Sequence, residues 1–159
     1  MMMFGFGKKE TVIKVAAPFA GEICDITAVP DEVFSEKMLG DGFAVIPSGG
    51  VSELSAPCDG KVTMVADTAH SVVITAGGAE LLLHIGLDTV ELAGEGFTAL
   101  VKEGETVKQG TPLIKFDQAA ITGAGKNPIT MITISNMDDV KLQKKNLQNA
   151  EAVLEIEGN

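Results

Sequence analysis

The chain of 159 residues contains no arginine, no tryptophan and no tyrosine, and only two histidines and two cysteines. Without arginine, a bound anion has no bidentate guanidinium fork available to it. A phosphoryl group here would have to rely on histidine, hydroxyls, backbone N–H groups and lysine. All twelve basic residues are lysines, set against 22 acidic ones, for a net charge of −10. Nucleic acid is therefore excluded as a partner, because affinity for it comes from neutralising phosphates. A basic protein partner suits the field better. Cys24 and Cys58 match neither metal-finger nor redox-pair spacing. They read as small buried residues of a cytoplasmic, reducing compartment, although sequence leaves a bridge between them open. No run reaches membrane-spanning length.

What is present points to β structure. Apolar residues make up 45% of the chain, and the core must rest on Val, Ile, Leu, Ala and Met. Eighteen glycines punctuate short runs such as "GEICDI", "GKVTMVA", "SVVITA", "ELLLHIG" and "ITMITIS". Many short strands with Gly-rich turns predict an all-β antiparallel sandwich with short helical turns. Runs that are apolar at consecutive positions predict strands covered on both faces. An imperfect repeat, Ala-Pro-x-x-Gly-x-(Ile/Val), recurs at Pro18/Gly21 and Pro57/Gly60. Two stretches break the pattern: "PDEVFSEKML" and "DQAAIT" predict short helices. "DDVKLQKKNLQNAE" is polar and reads as loop or short helix before a last strand. One domain is expected over residues 11–159. The opening "MMMFGFGKKE" reads as a flexible tail over residues 1–10, capable at most of weak membrane contact. The initiating Met and the length point to a free-standing chain.

His70 and His84 bracket one predicted hairpin, "HSVVITAGGAELLLH". Directly opposed residues on antiparallel strands share a face. An odd-numbered loop, Ala76-Gly77-Gly78, would set the two histidines opposite each other. A two-residue Gly77-Gly78 turn would put them on opposite faces unless a bulge intervened. A lone histidine in an apolar strand is usually a satisfied structural residue, and two that can face each other weaken that reading. Metal binding needs three or four ligands, so zinc would require Asp88, Asp41 or a partner's carboxylate to join. Nucleophilic chemistry fits better. At pH 7 roughly three quarters of a solvated imidazole is neutral, and neutral imidazole can attack without a strong base. Thr68 could orient a ring, and Gly86 allows close backbone approach to a phosphoryl group. Asp88 repels phosphate and is better suited to meeting a basic partner.

The stretch "HIGLDTVELAGEGF", with "PDEVFSEKMLGDGFAV", "APCDGKV", "DTAH" and "ISNMD", resembles the glucose-type IIA domain of the bacterial sugar phosphotransferase system. The similarity runs from about Val12 to Asp138. It implies an antiparallel β-sandwich and a phosphocarrier. His84 would accept a phosphoryl group from the phosphohistidine of the carrier HPr and pass it to a cysteine on a sugar-specific IIB domain. His70 would steady the phosphoryl group, with Thr68 hydrogen-bonding within the pair. Asp31 and Asp88 would flank the site and meet basic residues of HPr. Val33, Phe34, Met38, Leu39 and Val90 would form an apolar docking rim, with ordinary core packing as the alternative that sequence alone leaves open for these five. The unphosphorylated form of such proteins can also bind transporters or metabolic enzymes. The spacing between the histidines is one residue shorter than the family pattern, and Ala66 and Leu82 stand where aromatics are frequent. No cofactor is expected, and a zinc ion shared with a partner ranks well below phosphotransfer.

Two readings from other classes compete. "EGETVKQGTPLIKF" looks like part of a lipoyl- or biotin-type carrier module, but no lysine has the hairpin-tip context such a module needs. A zinc hydrolase on a related scaffold would need more ligands, including a His-x-His pair.

Overall fold

A computed structural model describes residues 11–158. The expected tail, residues 1–10, lies outside the described residues. The strands, in chain order, are β1 (Thr11–Val15), β2 (Gly21–Asp25), β3 (Gly42–Pro47), β4 (Glu53–Ser55), β5 (Gly60–Val65), β6 (Ser71–Ala76) and β7 (Ala79–Leu87). They continue as β8 (Phe97–Ala99), β9 (Thr106–Val107), β10 (Pro112–Phe116), β11 (Asn127–Ile134), β12 (Lys141–Lys145) and β13 (Leu154–Gly158). Helix α1 spans Glu32–Ser35 and α2 spans Gln118–Gly123. Short 3-10 turns cover Ile26–Ala28, Thr89–Leu92 and Met137–Asp139.

A seven-stranded sheet in the order β9-β5-β6-β7-β11-β3-β2 forms one layer, and two three-stranded sheets, β4-β10-β8 and β12-β13-β1, pack on it. Every pairing is antiparallel. This is the β-sandwich that the run of short strands predicts. Alternation along β7 shows how it is assembled. Leu81, Leu83 and Ile85 are fully buried in the main core with residues of all three sheets, including Ile13, Leu54, Leu113 and Ile156. Leu82 and His84 point the other way and are half-buried. On that second face a smaller apolar cluster of Ile26, Val29, Phe34, Ala44, Leu87, Ile129 and Met131 is covered by the first 3-10 turn and α1.

The repeat has a structural counterpart. Gly21 and Gly60 open β2 and β5, where a Cβ would meet the Ile46 carbonyl oxygen at 2.1 Å and Ile74 Cγ2 at 2.6 Å. The two Ala-Pro segments also bond to each other's neighbours: Ala16 N–H donates to the Pro57 carbonyl (2.9 Å) and Ser55 N–H to the Pro18 carbonyl (3.0 Å). Both predicted helices form. The polar stretch read as loop or helix instead forms β12, an edge strand whose lysines suit an edge facing solvent. Strands β4, β8 and β9 have two or three residues each, too few to show an alternating pattern in sequence.

Candidate functional site

The site begins at the hairpin turn. Gly77 and Gly78 both have positive φ (53° and 88°), as a two-residue turn of the primed type requires. Ala76 pairs with Ala79 and Ser71 with His84, without a register shift. The odd-numbered loop is therefore not used, and the residue opposite His84 is Ser71. The rings meet all the same. His70 lies one residue outside β6 and follows Ala69, which sits at φ 59°. Strand alternation no longer dictates its side-chain face there, although its carbonyl still accepts from Ile85 N–H (2.8 Å). The two imidazoles stand edge to face, with centroids 4.9 Å apart and planes at 81°.

Each ring is oriented by one partner. His84 Nδ1 lies 3.0 Å from the Gly86 carbonyl oxygen. A carbonyl only accepts, so this bond places the proton on Nδ1 and leaves the lone pair on Nε2. His70 Nδ1 is hydrogen-bonded to Thr68 Oγ1. Burial pushes His84 down to about 4, helped by the charge that a protonated His70 would carry beside it. The Gly86 carbonyl and the Asp31 carboxylate pull in the opposite direction. Burial also lowers His70. Both rings are thus neutral nucleophiles or donors at neutral pH.

Gly86 is held where only glycine fits. Its φ is 81°, and a Cβ would stand 2.3 Å from Thr89 Cγ2 and 3.0 Å from the Asn127 carbonyl oxygen. Thr89, which sequence reasoning missed, is fully buried, and its hydroxyl donates to the Ile85 carbonyl, fastening the turn below His84. Its position directly after Asp88 was the only available signal. Asp88 adopts φ 59° and is exposed. Asp31 caps α1 by accepting from Val33 N–H (2.9 Å).

Asp31, Val33, Phe34, Leu39, His84, Asp88, Thr89 and Val90 line one depression of about 190 Å³. Val33, Met38, Leu39 and Val90 are exposed apolar side chains, 37–68% accessible. Phe34 differs. It is 5% exposed and its ring meets His84 edge-on at 5.3 Å, so it floors the site where the resemblance placed it on the rim. Phe34 is the buried residue of α1 and clusters with Ile26, Ala44 and Met131. A larger cavity of about 660 Å³, lined by Val51, Ser52, Lys115, Phe116, Asp117 and Gln118 among others, contains neither histidine nor any thiol.

Among the described residues no group of three or more His, Cys, Asp or Glu is placed to hold a metal. Asp41, considered as a ligand, is bound by Lys145 (2.7 Å) and lies 3.7 Å from Lys37 Nζ. Both cysteines are free, Cys58 buried and Cys24 only half-buried. Among the described residues no helix is long and apolar enough to cross a membrane.

The pattern around the paired imidazoles has clear relatives. The family model for the phosphoenolpyruvate-dependent sugar phosphotransferase system, EIIA 1, matches residues 13–140. The chain belongs to this family. It is 49% identical over 140 residues to the "PTS system glucose-specific EIIA component" of Oceanobacillus iheyensis, covering 87% of this chain and 83% of that protein. Its fold superposes on the glucose permease IIA of Mycoplasma capricolum with a TM-score of 0.82 at 35% identity, over 91% of this chain and 96% of the other. As a family member the chain is a phosphocarrier component of sugar uptake. Neither the lipoyl-type module nor the zinc hydrolase is favoured.

Proposed function

We propose that His84 Nε2 accepts a phosphoryl group from the phosphohistidine of HPr and hands it to the cysteine of a sugar-specific IIB domain. Glucose is the expected sugar, because the relatives are described as glucose-specific. The observation carrying this reading is the bond between His84 Nδ1 and the Gly86 carbonyl beside a second imidazole. It fixes the tautomer whose Nε2 lone pair can attack phosphorus.

In the first transfer, the bond from phosphorus to the donor imidazole breaks as the His84 Nε2–P bond forms. The donor ring leaves with the electron pair of the broken bond, and no co-reactant is needed. His84 keeps its Nδ1 proton and becomes positively charged. The Gly86 carbonyl and the Asp31 carboxylate stabilise that charge, in keeping with the direction in which both act on the ring. When the Thr68 hydroxyl donates to His70 Nδ1, the proton of His70 sits on Nε2 and can donate to the phosphoryl oxygens. In onward transfer the Nε2–P bond breaks, the IIB thiolate takes the group, and His84 returns to its neutral form.

Val33, Met38, Leu39 and Val90 form the apolar docking rim for both partners. Exposed Asp88 and half-buried Asp31 meet the partner's basic residues. Such a polar-flanked apolar patch is typical of a recognition surface. Incubation with phosphoenolpyruvate, enzyme I and HPr should add one phosphoryl group to the intact protein. His84→Ala should abolish the addition. His70→Ala should keep acceptance but impair transfer to IIB. Labelling of His84→Ala at another residue would overturn the assignment.

A further inference from the structure

A phosphoryl group on His84 places about two negative charges on its oxygens, only partly offset by the imidazolium that carries it, at a site already flanked by Asp31 and Asp88, in a protein without arginine. Lys126 is the last residue before β11. Its Nζ lies 2.6 Å from Glu91 Oε1, and its side chain is only 22% exposed although Glu91 is 62% exposed. Glu91 belongs to the 3-10 turn Thr89–Leu92, which Asp88 opens and from which Val90 projects. The next residue, Asn127, pairs with Leu87, and its carbonyl backs directly onto Gly86. Lys126 is thus attached to the backbone segment behind the glycine that orients His84. Glu91 raises its pKa by hydrogen bonding, and the Asp88 charge adds to this.

We propose that Lys126 is the charge-balancing cation of the phosphorylated state, held by Glu91 beside Asp88 and shared with the added negative charge once His84 is modified. This rests on the reading of His84 as acceptor. A lysine suits the task because its ammonium is a compact charge with three donors on a flexible stem. It can keep its bond to Glu91 or move toward Asp88 and the phosphoryl group. The pair is solvent-accessible, so its value as a brace for the turn is small. The charge of Asp88 already acts on the Lys126 ammonium.

The test is the phosphoryl-exchange equilibrium between HPr and the full chain, read by phosphorus NMR in mixtures of phosphorylated HPr and each variant. Lys126→Gln should shift the equilibrium toward phosphorylated HPr by about three- to tenfold, an effect that shrinks with added salt. Lys126→Arg should restore it. Glu91→Gln releases the lysine and should leave the equilibrium at or above the wild-type value. Denaturant midpoints close to wild type for all three establish that the fold is intact. The proposal is overturned if Lys126→Gln stays within twofold of wild type, or if Glu91→Gln falls along with it, since the pair would then only brace the turn. Continued phosphorylation of His84→Ala would instead overturn the acceptor assignment, a separate outcome.

Discussion

The two faces of the seven-stranded sheet are made from alternate residues of the same strands, yet they serve different ends. Along β7, Leu81, Leu83 and Ile85 enter a core shared with both small sheets, and each is fully buried. Leu82 and His84, between them, lie on the other face, where His84 meets Phe34 in a cluster of seven buried residues under a short helix, with exposed apolar side chains at its border. The first face is dry and closed, so its side chains act through packing. The second keeps an ionisable ring partly desolvated, close enough to water for a partner to reach it. A strand period of two lets one sequence build both.

Truncations on neighbouring residues test the contrast most strongly. Leu83→Ala should destabilise the fold by about 3–4 kcal/mol, as deletion in a closed core does. Leu82→Ala, one residue along, should cost under about 1 kcal/mol. Urea unfolding of both variants measures the difference, and similar losses would mean that the two faces are equally closed.

The pH dependence of stability comes next in size. His84 titrates near 4 in the folded protein against 6.5 for a free ring. Above about pH 6.5 both states hold the ring neutral and the contribution is complete. As pH falls from 6.5 toward 4 the unfolded state binds the proton first, so stability is lost, by roughly 3 kcal/mol at most. His70 acts in the same direction. Asp25, held down to about 2 chiefly by its bond to Lys145, against its own burial, loses its contribution only below about pH 4 and does not blur this window. Denaturant unfolding between pH 7 and 4.5 should show the slope, and His84→Gln should flatten it. A slope unchanged in that variant would place the titrating group elsewhere.

The smallest effect concerns Thr68. Thr68→Val removes the bond to His70 Nδ1 and should cost about 1 kcal/mol of stability. Nitrogen NMR should show the His70 tautomers mixing, and transfer to IIB should slow several-fold. An unchanged His70 spectrum would show that the ring is oriented by its packing alone.

Much of this site was legible in the chain. Two histidines bracketing one turn, a glycine two residues beyond His84 and the absence of arginine narrow the chemistry from sequence alone. The repeat marked two strand starts, because a Pro that cannot donate and a Gly that must admit a carbonyl leave a visible trace. The edge strand Lys141–Lys145 was not legible, since its polar residues carry no alternating apolar signal. Phe34 was legible as apolar but not as a floor residue, because the same helix presents exposed Val33 beside it.

By itself the sequence determined the class of fold and which imidazoles could take part, and its resemblance to the IIA family implied the carrier chemistry. The first two follow from residue type, period and turn chemistry, which are local. Only the tertiary structure decided how the histidines meet. Counting residues across a two-residue turn sends them to opposite faces, and the left-handed backbone at Ala69 frees His70 from that count. It also decided which ring nitrogen holds the proton, because the Gly86 carbonyl reaches His84 through a positive-φ backbone near the end of β7 that β11 and Thr89 leave no room to alter.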